Sequence, residues 1–178
     1  MKTRSLVPAL LWLLVAGNTF AVESAPGFSL KNRASGKTVN LSDFAGKIVV
    51  LDFFAWWCGP CAQSAPIVEE QIQKHYAAKN GNPHGIPVQV VSINVEEENP
   101  KNTAAFIKKH GISTVLDDQD GKTLKSYGGE GLPHFVIIDG TGGKTGAPSF
   151  RAVYKTSGFE GAEVLRGVID AIKAPAKP

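Results

Sequence analysis

Cysteine is scarce in this chain: only Cys58 and Cys61 occur among 178 residues, and both fall in the stretch Ala55-Trp56-Trp57-Cys58-Gly59-Pro60-Cys61. A chain of this length can bury a full hydrophobic core, so it does not need cross-links to fold. A bridge between cysteines this close would shut a very small loop and stabilise little. Structural zinc takes four ligands, and only His75, His84, His110 and His134 are left to complete such a set. None of the four stands at paired ligand spacing.

Charge of one sign is also lacking. Lys and Arg number 19 against 16 Asp and Glu, and two of the basic residues, Lys2 and Arg4, belong to the leading segment. No basic stripe interleaved with aromatics is present, which argues against nucleic-acid binding. There is no internal repeat and no domain-sized linker. With 43% hydrophobic and 20% charged residues the composition is that of a globular protein, so a packed fold is expected.

Long apolar runs are confined to the start. Lys2 and Arg4 precede an apolar stretch from Leu6 to Ala16, and small residues follow at Thr19 and Ala21. This is the layout of a secretory signal over 1–21, cleaved after Ala21, which leaves one domain over 22–178. The run falls short of the roughly 20 residues of a membrane span. An uncleaved anchor is the alternative. Export would place the two thiols where disulfides form and persist.

Along the rest of the chain, Phe28 to Leu41 reads as a hairpin turning at Ser35-Gly36, and Ser42-Asp-Phe-Ala-Gly-Lys as one helical turn capped by Ser42. Ile48 to Ala55 is a continuous apolar run broken only by Asp52, as expected of a strand covered on both faces. Ala65, Val68, Ile72 and Tyr76 recur at helical spacing, which predicts a helix from the cysteine motif onward with a kink at Pro66. A strand over Pro87 to Val95 and a helix over Thr103 to His110 come next. Their order implies a parallel βαβ unit. Leu132 to Ile138 and Phe150 to Lys155 read as further strands, and Val164 to Ile172 as a closing amphipathic helix. The glycine-rich stretch after Ile138 is no phosphate loop, because the first required glycine falls on Ile138 and a strand comes after it; a hairpin connection is expected.

If the first helix begins at Cys58, that sulfur meets unpaired backbone N–H groups and the positive end of the helix dipole, which favour thiolate. Cys61, about one turn further on, is placed to attack a mixed disulfide formed at Cys58. A redox pair therefore has physical support that the staple and metal readings lack.

The run Asp52-Phe-Phe-Ala-Trp-Trp-Cys-Gly-Pro-Cys-Ala-Gln-Ser-Ala-Pro66 resembles the active-site segment of the thioredoxin superfamily, and Gly131-Leu132-Pro133 before a strand resembles its cis-proline loop. The leading segment, the hairpin and the segment around Asn99 to Gly111 are similar to exported thiol:disulfide reductases of the TlpA and ResA type. The resemblance implies an α/β, thioredoxin-like three-layer sandwich: a mixed central sheet, helices on both faces and an N-terminal β-hairpin extension. It implies that Cys58 attacks, Cys61 resolves and Asp52 is a buried proton acceptor. It makes Trp57, Gly59, Pro60, Leu132 and Pro133 the surface against which a substrate lies. It further implies a periplasmic location, clients that are protein disulfides or dithiols, a membrane-embedded thiol electron donor, and neither metal nor cofactor.

Two residues depart from the maturation members that serve cytochrome c: Ser64 stands where they carry glutamate, and Asp52 where they often carry asparagine. His134, after Pro133, is not the usual small or polar residue; it either tunes the thiols, or packs or faces solvent on its strand. Reductase is the favoured direction. A dithiol oxidase or isomerase, a peroxidase, and a peptide-binding module with inert cysteines are the competing readings.

Overall fold

The computed structural model describes residues 23–96, 98–144 and 149–174. The expected leader over 1–21 lies outside them. The centre of the fold is β4, Ile48–Phe54, whose seven residues are all buried. It pairs in parallel with β5, Val88–Asn94, and antiparallel with β7, His134–Asp139. With β6, Val115–Asp117, β8, Arg151–Ser157, and three N-terminal strands, β1, Glu23–Ser24, β2, Ser29–Asn32, and β3, Thr38–Asn40, these make an eight-stranded sheet in the order β1-β8-β7-β4-β5-β6-β2-β3. The mixed sheet and the parallel β4–β5 pair are as the sequence predicts. So is the direct antiparallel return from β7 to β8.

The hairpin forms from β2, Ser29–Asn32, and β3, Thr38–Asn40. Its turn is built on Asn32, whose Oδ1 accepts from the Ala34 and Ser35 N–H groups, and on Gly36 at φ 68°. Pairing of β2 with β6 makes the hairpin a continuation of the main sheet. The helical turn after it, Leu41–Phe44, is capped by Asn40 and not by Ser42. The cap falls two residues earlier than the pattern suggests; the Asn40 N–H then donates to the Asp43 carboxylate at 2.8 Å, and Ser42 lies inside the turn, exposed. A two-residue strand β1, Glu23–Ser24, pairs with β8.

Alternation along β4 divides the core. Val49, Leu51 and Phe53 pack with Phe28, Phe44, Tyr127 and Val136 on one face. Ile48 and Val50 pack with Val68, Ile72, Leu165 and Ile169 on the other. Each fully buried side chain of this size stabilises by about 1.5–3 kcal/mol relative to exposure. The second face is covered by α1, Gly59–Val68, and α5, Ala162–Ala171. Pro66 lies inside α1 and cannot donate to the helical ladder, yet the helix continues through it to Val68. From Glu69 to Lys74 the turns are π-helical, before α2, His75–Ala78, resumes.

The next helix, α3, runs Pro100–His110, a turn earlier than the apolar pattern predicts, because Pro100 at the first helical position gives up an N–H that needs no partner there. It ends at Gly111, left-handed at φ 65°. A short helix absent from the sequence reading, α4, Lys122–Ser126, lies on the opposite face, where Leu124 packs against the first core cluster.

Candidate functional site

Cys58 is the N-cap of α1. Its backbone is extended, its carbonyl accepts from the Ala62 N–H, and its Sγ accepts from the Cys61 N–H at 3.1 Å. Pro60 in the first turn is pre-set for helix. The two sulfurs are joined as a disulfide, with Cα atoms 5.2 Å apart. Exposure separates them: Cys58 retains 5% of its surface and Cys61 1%. Cys58 alone of the pair lines an open groove.

That groove has a volume of about 810 Å³. Trp57, Cys58, Gly59 and Pro60 form one bank, Leu124 and Lys125 of α4 the other, and Gly129 to Leu132 the floor. Leu132 joins Pro133 by a cis peptide bond, and Pro133 itself is buried. Five expected site residues, Trp57, Cys58, Gly59, Pro60 and Leu132, thus meet in one groove, while Cys61, Pro133 and Asp52 lie beneath the surface.

Asp52 is 1% exposed and, by alternation with Ile48 and Val50, sits on the face of β4 that α1 covers. Its Oδ1 has no hydrogen-bond partner among the described residues. Burial pushes its carboxyl up to about 7, with the Ser92 hydroxyl pulling the other way. A carboxyl poised there exchanges protons near neutral pH.

Trp57 is 58% exposed and donates its indole N–H to the Glu96 carboxylate at 2.8 Å. Trp56 is half-buried against the cluster that holds both cysteines. His134 lies on the face away from the dithiol, packed on Phe53 with ring centroids 5.8 Å apart and with Nδ1 3.0 Å from the Ser157 hydroxyl. Burial lowers its pKa. Its packing role is the one the geometry matches. Among the described residues no group of three or more His, Cys, Asp or Glu side chains could hold a metal ion.

Sequence reasoning missed the α4 bank. Its residues carry no periodic signal, since only Leu124 and Tyr127 are apolar in a five-residue helix and its cap. Gly129 is the one faint clue: a Cβ there would stand 2.1 Å from Leu124 Cδ1 and 3.2 Å from His134 Cδ2, so a side chain at this position would displace Leu124 of α4.

A family model described as Redoxin matches residues 21–144. The chain is 35% identical over 121 residues to the thioredoxin-like protein YneN of Bacillus subtilis, covering 67% of this chain and 66% of that protein. It is 33% identical over 119 residues to the thiol-disulfide oxidoreductase ResA of Bacillus subtilis, covering 66% and 61%. It thus spans somewhat less than two thirds of the length of these relatives. Among solved structures it is similar to a Chlorobium tepidum protein provisionally assigned as thiol:disulfide interchange protein DsbE, at 32% identity and a TM-score of 0.67, covering 83% of this chain and 94% of that one. It is also similar to a secreted disulfide oxidoreductase of Mycobacterium tuberculosis, at 25% identity and a TM-score of 0.57, covering 82% and 96%. On a thioredoxin-like fold, with the family model matched from before β1 to just past β7, the chain belongs to the Redoxin family.

Proposed function

We propose that the protein is an exported thiol:disulfide oxidoreductase that reduces disulfides in protein clients. The observation that carries this reading is the asymmetry of the dithiol: Cys58 opens to the groove at a helix N-terminus, and Cys61 is buried behind it. The Cys58 thiolate attacks one sulfur of a client disulfide, the second client sulfur leaves as thiolate, and a mixed disulfide forms at Cys58. Asp52 takes the Cys61 proton. The Cys61 thiolate then attacks Cys58 Sγ, expels the client's other sulfur as thiolate and restores the Cys58–Cys61 disulfide; the client gains two electrons, and its two thiolates take one proton from Asp52 and one from water. Trp57, Gly59, Pro60, Leu132 and Pro133 shape the surface on which the client lies.

The relatives named as thiol-disulfide oxidoreductases support the chemistry. Export rests on the leading segment and on the resemblance, with residues 22–178 as the working domain. In an oxidising compartment the dithiol has to be regenerated, so a membrane-embedded thiol donor completes the cycle. Reduction of insulin disulfides by the dithiol form is the direct test, and wild-type protein without it would overturn the reading. A dithiol oxidase would use the same geometry in reverse. A reduction potential near about −270 mV supports a reductase and one near about −120 mV the oxidase.

A further inference from the structure

A second cleft, of about 340 Å³, shares Trp57, Cys58 and Gly59 with the groove but has α3 as its far wall. Its floor and rim are Trp56, Ala62, Ala105 and Phe106, and its polar side chains are Asn102, Lys109 and His110. We infer that this cleft docks an acidic segment of a protein partner and holds it beside Cys58. The inference deepens the thiol-exchange reading and rests on it only for the chemistry after docking.

No carboxylate lines the cleft. Neither Lys109 nor the neighbouring exposed Lys108 has an ion-pair partner among the described residues. Among the described residues, three acids in this part of the chain have partners of their own, and a fourth, Glu98, lines a different pocket. Glu96 accepts from Trp57 and lies with Glu98 in a separate pocket; Glu69 is buried and accepts from the Ser113 N–H; Glu70 pairs with Lys74. Burial and Lys109 lower the pKa of His110, so its ring, packed 4.5 Å from Phe106, adds an aromatic surface near neutral pH.

Cations in a last helical turn also complement the helix dipole. That accounts for the position of Lys108 and Lys109 along α3 but not for the turn of Lys109 toward the cleft. Asn102, Ala105, Phe106 and Lys109 recur at helical spacing and all turn to the cleft. Trp57, a large exposed side chain lining the same cleft as Lys109, supplies the aromatic anchor that binding surfaces favour. An acidic partner would be steered toward Cys58 by the same charges.

The test uses the full-length chain and synthetic peptides with one internal disulfide, flanked by glutamates, glutamines or lysines. Reduced protein reacts with the Glu-flanked peptide roughly tenfold faster than with the Lys-flanked one at low salt, and the preference collapses in about 0.5 M NaCl. Lys108→Glu/Lys109→Glu removes or reverses it. Lys79→Glu/Lys173→Glu, the same charge change away from the cleft, retains it. A fluorescent Glu-rich peptide without cysteine binds wild type several-fold tighter than the Lys108→Glu/Lys109→Glu protein, a readout independent of thiol chemistry. Equal rates and equal binding would overturn the proposal, whereas failure to reduce a small neutral disulfide such as hydroxyethyl disulfide would overturn the thiol reading and leave the peptide-binding result to decide the docking.

Discussion

Asp52 stands directly across from Ser92 in the parallel register of β4 and β5, and that hydroxyl is the group that favours its charged form against burial. The balance leaves the carboxyl titrating near 7 instead of 3.8. Between those values the folded protein holds a proton that the unfolded chain has lost, so stability falls as pH rises through this window. Asp52→Asn is therefore expected to be more stable than wild type at pH 8, by up to about 4 kcal/mol, with the difference vanishing toward pH 4. Urea unfolding at the two pH values measures it. The same variant loses the step near pH 7 in the rate of client reduction.

The unequal exposure of the two sulfurs gives a second outcome. Cys61→Ala accumulates a mixed disulfide with clients through Cys58, visible as a thiol-sensitive band on non-reducing gels. Cys58→Ser forms none and lowers disulfide reduction to background. A trapped adduct on Cys61 in the Cys58→Ser protein would reverse the assignment.

His134 behaves oppositely to Asp52. Its folded pKa lies below its ordinary value of 6.5, so the unfolded chain takes up a proton first as pH falls, and stability drops below about pH 6.5. Two further groups bear on it: a hydrogen bond to the Tyr127 backbone raises its pKa, and the charge of Lys155 on β8 lowers it. His134→Phe is expected to reduce the loss of melting temperature between pH 7.5 and pH 5.

Gly129 keeps α4 against the groove. Gly129→Ala places a methyl group into Leu124, which costs about 1–3 kcal/mol and pushes the α4 bank outward. Leu124→Ala in the same protein restores room, so the two changes together cost less than their sum. Chemical denaturation of the four proteins reads the coupling.

How much of the fold and site was legible depends on how local the signal is. The buried run of β4, the cysteine helix and the α5 pattern are written in adjacent residues, and their elements appear where the spacing puts them. The Leu132–Pro133 cis bond was legible only through the family resemblance. β1 is two residues long and exists because β8 offers it an edge. Likewise α4 is five residues held by tertiary contact, and half the groove depends on it. Ser42 misled because the capping residue is decided by where the turn begins, a matter settled by the Asp43 carboxylate reaching back to the Asn40 N–H.

The position of β4 bears on how the chain assembles. One edge pairs with β5, soon after it in sequence, but the other waits for β7, so that Ile48 meets Asp139 and Phe53 meets His134 only once most of the chain is present. Closing so long a loop is entropically costly and slow. During synthesis both thiols and the apolar edge of the central strand exist well before the residues that cover them. That interval is the protein's own vulnerable period, when Cys58 and Cys61 would be open, given an oxidant, to bridging with another chain or with each other before the groove exists.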